Sequence, residues 1–150
     1  MRSRWLRSSV ATIVAYAVLA LATACAGPAT NGGDRVHNAV AYDAWRSGTS
    51  HVEVTVGGVV ARVLGTRVGR RGAHEGFLLH LSGADGRGLT VRVEDNVDLT
   101  GPIPLREGES VEVRGEYIFD ARGGIVHYTH RDPRGHHLSG YVLADGKFYQ

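Results

Sequence analysis

The sequence predicts a mainly β domain, a small closed barrel of five to six strands preceded by one N-terminal helix. Three observations carry this. From His51 onward the apolar residues alternate with period two, as a half-buried strand requires. Glycine is abundant, 21 of 150 residues, and falls between the alternating runs as turns and bulges do. The first run is long and interrupted by a glycine pair, which is what a strand needs if it is to bend and pair on both sides of a closure.

Taken in order, residues 34–45 read as the helix, with Asp34 as its cap, Val36, Val40 and Ala44 at four-residue spacing on one side, and Gly48 just past its end. Val52, Val54 and Val56 alternate with Glu53 and Thr55. The run resumes after Gly57-Gly58 to make one bent strand through Leu64. Residues 76–82 and 89–94 form the second and third strands, joined by the turn Asp85-Gly86-Arg87-Gly88. Residues 110–119 give a fourth strand and 123–130 a fifth. Residues 139–149 add a short sixth, with a turn at Asp145-Gly146-Lys147. Such a chain suits a Greek-key barrel of the OB type; a plain antiparallel meander or sandwich competes with it.

The first 25 residues read as a lipoprotein-type signal peptide. Three arginines and no acid precede an uncharged, mostly apolar run over residues 10–24 that ends at Cys25, the only cysteine. That run is short for a membrane span, which needs about 20 apolar residues. Ala22-Thr23-Ala24-Cys25 resembles a bacterial lipobox, with Leu21 one position early, and Cys25 is then the lipidation site. The alternative is an ordinary signal cut at the same small residues. Residues 26–33 form a tether and 34–150 a single domain. The expectation is a protein of the bacterial cell envelope, exported and held on the extracytoplasmic side by lipidated Cys25. A lone cysteine leaves no disulfide, so stability rests on the apolar core.

Without the signal, fourteen basic residues face fifteen acidic ones, and charge does not indicate nucleic acid as a partner. Arg67, Arg70 and Arg71 read as a solvated Gly-rich turn.

Four of the eight histidines lie in the segment 124–137. Imidazole titrates near neutrality, ligates metals and carries protons, so this segment is the candidate site. On a regular fifth strand Ile125, His127 and Thr129 share one face, and Val126, Tyr128 and His130 the other. His130 is expected to leave the strand and join Asp132 and His137 in the turn shaped by Pro133 and Gly135. The plain reading of that turn is Asp132 accepting backbone N–H bonds. His127, His130, Asp132 and His137 are the candidate ligands of a divalent metal, the one cofactor the pattern suggests, although no local spacing matches a strong zinc signature. His80 reads as a cross-strand surface residue. Asn96 and Asp98 form a second polar island at a strand end, where Asx capping is an equal reading. In the fourth strand Arg114 and Glu116 share a face and could pair.

These segments together resemble the bacterial family catalogued as domain of unknown function 3465. Its pattern runs G-x-V-x-x-V/I-L, H-x-x-F, H-N-I-D-L, G-E-Y, G-G-V-I-H-W-T-H-H-D-P and G-x-H-x-x-G-W/Y. The matches are Gly58, Val60, Val63 and Leu64; His74 and Phe77; Asn96, Asp98 and Leu99; Gly115, Glu116 and Tyr117; Gly123, Gly124, His127, Thr129, His130, Asp132 and Pro133; then Gly135, His137, Gly140 and Tyr141. Asp95 replaces the family's first histidine, Tyr128 its tryptophan and Arg131 the second of its paired histidines. The resemblance implies a small secreted or tethered domain and no particular activity. It leaves His74, Asn96, Asp98, Glu116, His127, His130, Asp132 and His137 as the binding candidates.

Three function classes fit. The first is a module binding a polar ligand or envelope component at the barrel rim. The second is a metal-assisted hydrolase of the phosphodiesterase or nuclease kind, with His127, His137 and Asp98 holding a cation and Glu116 or His130 activating water. In the third the histidines are structural, in a protein that only docks to others.

Overall fold

The computed structural model describes residues 36–83 and 86–150. The signal peptide, Cys25, the tether and the Asp34 cap lie outside the described residues, as does Asp85 of the turn between the second and third strands.

Helix α1 (Asn38–Ser47) ends at Gly48, whose φ of 66° supplies the left-handed C-cap. Its buried face differs from the expected one. Ala41, Tyr42 and Ala44 point inward, while Val36 and Val40 are 40% and 39% exposed. Specific polar contacts set the helix's rotation. The Asn38 side chain exchanges two hydrogen bonds with the Gly57 backbone, each 2.9 Å, and the Tyr42 hydroxyl reaches the carbonyls of Leu81 and Arg87.

Strand β1 (Val52–Gly69) is longer than expected. Its first half pairs antiparallel with β4 (Ser110–Ile118), from Val52 opposite Tyr117 to Val59 opposite Ser110. Its second half pairs with β2 (Gly72–Ser82), from Val59 opposite His80 to Gly69 opposite Gly72. The handover occurs at the glycine pair, as expected. A Cβ on Gly58 would strike the His80 carbonyl oxygen, so only glycine lets the two strands cross there. Arg70 and Arg71 form the tip of the β1–β2 hairpin, and Arg67 lies in the strand beneath them.

Strand β3 (Gly88–Asn96) pairs with β2 along its whole length and leads into the single turn α2 (Val97–Thr100). Strand β5 (Ile125–His127) runs parallel to β3 and antiparallel to β4. The order β1-β2-β3-β5-β4 therefore returns to β1, and the fold is a mainly β, barrel-like ring of five strands with the OB-like closure. Strands β6 (Tyr141–Ala144) and β7 (Lys147–Tyr149) extend it to a seven-stranded sheet. Inside lie Phe77, Leu79, Leu81, Val91, Val93, Val113, Tyr117 and Val126, all fully buried.

The fifth strand is shorter than its expected span of 123–130. Tyr128 takes φ of +55°, which breaks the alternation and ends β5 at His127. Thr129 then turns into the core, completely buried, instead of sharing the His127 face. The chain leaves the edge of β4 beyond Glu116, makes an excursion, and returns to the same edge as β6, with Tyr141 opposite Arg114. The neck is closed by the Gly140 N–H donating to the His130 carbonyl at 2.9 Å. Gly140 cannot carry a side chain, because a Cβ would meet the carbonyl oxygens of Tyr128 and Arg114.

Candidate functional site

Strand parity places the site on the outer surface of the ring. Along β3, Val91, Val93 and Asp95 point in, and Arg92, Glu94 and Asn96 point out. Across the sheet His74 lies opposite Asn96, Ile125 opposite both Arg92 and Ile118, and His127 opposite Glu116. Over this surface runs a groove of about 690 Å³. Ile118 and Ile125 form its floor. Arg71 of the hairpin, His74, Glu94 and Asn96 stand on one side, and His127, Tyr128 and His130 on the other.

Four of the eight candidates thus line one cavity: His74, Asn96, His127 and His130. The other four support it. The Asp98 carboxylate accepts the Ala73 N–H at 2.9 Å, pinning the hairpin base, and the Asp98 backbone N–H donates to the Asn96 side-chain Oδ1 at 3.1 Å. This is the Asx cap expected for that island. Glu116 accepts from two imidazoles on one oxygen, His51 Nδ1 at 3.0 Å and His127 Nε2 at 3.3 Å. Asp132 accepts the backbone N–H groups of Arg134, His136 and His137, which is the expected turn. Burial alone would raise its pKa, but these backbone donors and the nearby His137 hold it below the ordinary carboxylate value.

His137 belongs to a cluster of rings. Tyr128 is stacked on His127, centroids 4.0 Å apart, and on His137, 4.3 Å apart. Two rings at such distances cannot share one face, so the tyrosine is sandwiched. His130 meets His137 edge-on at 4.8 Å. Its Nδ1 lies 2.8 Å from the Arg131 carbonyl, and that of His137 lies 2.8 Å from the Leu138 carbonyl. A carbonyl only accepts, so each Nδ1 carries the proton and, in the neutral ring, Nε2 keeps the lone pair. His127 is pushed below the ordinary imidazole value, because burial outweighs the favourable carboxylate of Glu116.

The four residues proposed as metal ligands are therefore neighbours, but their donor atoms are turned to different partners. Among the described residues no three His, Cys, Asp or Glu side chains come together as a cation site. The trio His127, His137 and Asp98 is divided between the ring cluster and the hairpin base.

Behind the groove two carboxylates face the interior. Asp95 and Glu75 are register partners across β2 and β3. Glu75 accepts the Ile103 N–H at 3.0 Å. Asp95 is fully buried and accepts the hydroxyls of Thr129, at 2.5 Å, and Thr100. Burial raises its pKa, and the two threonine bonds offset only part of that. Position 95, one of the three departures read above from the resembled pattern, therefore lies inside the ring, outside the groove. Those at Tyr128 and Arg131 lie in the ring cluster and on the exposed excursion.

Sequence reasoning missed Arg71, Glu94, Ile118, Ile125 and Tyr128 as groove residues. Parity along β3 already put Glu94 beside Asn96, and that signal was available. No local signal marks Arg71, whose place depends on how far the hairpin projects.

No curated protein matches this chain. The family model described as "Protein of unknown function (DUF3465)" matches residues 21–150, which takes in the whole ring, the excursion and every groove residue, and the chain accordingly belongs to that family.

Proposed function

We propose that the domain is a binding module of the bacterial envelope, tethered through Cys25, that takes a polar ligand in the groove over Ile118 and Ile125. The observation that supports it most is the gathering of His74, Asn96, His127 and His130 from three separate segments around one cavity, whose volume lies in the range of ligand sites. An apolar floor with a few convergent polar groups is the usual composition of such sites. The imidazole Nε2 lone pair of His130, the Asn96 amide and the Arg71 guanidinium provide both acceptors and donors. Binding through a shaped groove needs no cation, and the ring cluster acts as a rigid wall. The lipobox-like segment supports the tether, and mass spectrometry of the exported protein tests it by the presence of a diacylated Cys25.

Calorimetric titration of the full-length protein in detergent with envelope glycan fragments tests the reading. Ile125→Glu, which places a carboxylate on the groove floor, is expected to abolish the heat while leaving the melting temperature of this half-exposed position nearly unchanged. Equal binding by Ile125→Glu and the native chain would remove the groove from consideration.

A further inference from the structure

Resting on that reading, we propose that the ligand is an acidic glycan chain, held by its sugar rings in the groove and by its anionic groups on arginines along both banks. Five exposed arginines lie at this end of the ring: Arg67, Arg70 and Arg71 on the hairpin, Arg131 and Arg134 on the excursion. They come from two segments about sixty residues apart in sequence. The groove joins them, because Arg71 lines it from one side and Tyr128 and His130 from the other.

Most acids at this end are engaged: Glu116 accepts from His51 and His127, with the exposed Glu53 opposite it on β1. Asp98 holds the hairpin base, Asp132 holds the excursion, and Asp95 and Glu75 point into the interior. Glu94 faces the groove but is ion-paired with Arg92. The arginine forks thus stand at the surface of this end, while the Asp98 and Asp132 carboxylates are turned onto backbone N–H groups. Arginine forks suit carboxylate and phosphate groups, which they grip by two parallel hydrogen bonds.

Two further features select the class of polyanion. The groove continues into a second cavity of about 310 Å³ that shares Ile125 and reaches Leu64, Leu78, Arg92 and the ion-paired Asp120 and Arg122. The two follow one another along β2 and β3, from His74 and Asn96 to Leu78 and Thr90, at about 3.3 Å per residue, which leaves length for an extended chain. Nucleic acid usually rests its bases on open aromatic faces, and here both faces of Tyr128 are covered by His127 and His137. A lipid headgroup surface offers phosphates but no chain of sugar rings to lie along the groove, and the vesicle arm below separates the two.

The test uses the full-length protein in detergent with polygalacturonate, a phosphomannan, neutral dextran, oligo(dT) and phosphatidylglycerol vesicles. Both acidic glycans are expected to bind, more weakly as salt is raised, and dextran to bind weakly or not at all. The paired charge reversal Arg70→Glu with Arg134→Glu, both at exposed positions outside the groove lining, is expected to weaken acidic glycans at least about tenfold, within the span of electrostatic attraction. Comparison of the two acidic arms tells carboxylate from phosphate. Tighter binding of oligo(dT) or of vesicles overturns the proposal. Dextran binding as well as the acidic glycans, unaffected by charge reversal but lost in Ile125→Glu, overturns the acidic class and leaves the groove reading standing. Acidic binding lost on charge reversal but kept in Ile125→Glu overturns the groove and with it the proposal.

Discussion

The two ends of the β2–β3 hairpin are closed by different chemistry. At the end near Leu81 and Leu89, α1 covers the core with Ala41, Tyr42 and Ala44, and its polar atoms bond backbone groups of Gly57, Leu81 and Arg87. At the other end no helix of that length is present among the described residues. Buried carboxylates do the fastening instead: Glu75 holds the segment after α2 through Ile103, and Asp95 holds Thr100 and Thr129. The first end is fastened by apolar burial and neutral hydrogen bonds, which respond little to pH. The second uses ionisable groups, which cost more to bury but tie loops whose outer surfaces stay polar. An apolar closure and an ionisable one are thereby separated along one pair of strands.

The largest effect is expected at the closed end. Tyr42→Ala removes a buried ring and two hydrogen bonds, and is predicted to cost about 3–5 kcal/mol in denaturant unfolding while the folded fraction binds ligand normally. Gly140→Ala comes next, about 1–3 kcal/mol for forcing a methyl group against two carbonyls. Its signature is local: faster hydrogen exchange of amides 128–140 and weakened groove binding. If it lowered global stability as much as Tyr42→Ala, the two ends would not be independent.

Asp95→Asn sharpens the contrast in pH. The folded-state pKa is raised, so between the ordinary carboxylate value and that raised value the folded protein holds the proton more tightly than the unfolded chain, and stability falls as pH rises through the window. Asparagine can accept from one threonine and donate to the other. The variant is therefore predicted to lie within about 1 kcal/mol of the native protein in acid and to lack the decline at higher pH. The smallest effect belongs to His127→Gln. The folded pKa of His127 is lowered, so its contribution is present above about 6.5 and is lost as pH falls through the folded value. Acid unfolding of the glutamine variant should start at lower pH, and an unchanged onset would show that burial of the ring is not what sets it.

Much of the frame was legible from sequence. Val54, Val56 and the Gly57-Gly58 break announced a bent first strand, and His80, read as a cross-strand surface residue, lies exposed beside the buried Leu79 and Leu81. Parity failed at Tyr128, because a left-handed tyrosine leaves no trace in a period-two pattern and its stacking between His127 and His137 depends on the excursion folding back on itself. The helix face failed at Val36 and Val40 for a related reason: Asn38 bonding to Gly57, a contact distant in sequence, decides the rotation. The candidate histidines were visible as a cluster. Their division into groove wall, stacked ring and loop anchor depends on the path of residues 128–140, which spacing alone does not encode.

The same path governs which substitutions the segment tolerates. Since β5 and β6 occupy successive stretches of the same β4 edge, the detour between them begins and ends almost at one point. A change in the charge or length of its exposed middle, around Arg131 and Arg134, leaves the register of both strands as it is, whereas buried Thr129 and crowded Gly140 fix the two ends of the detour.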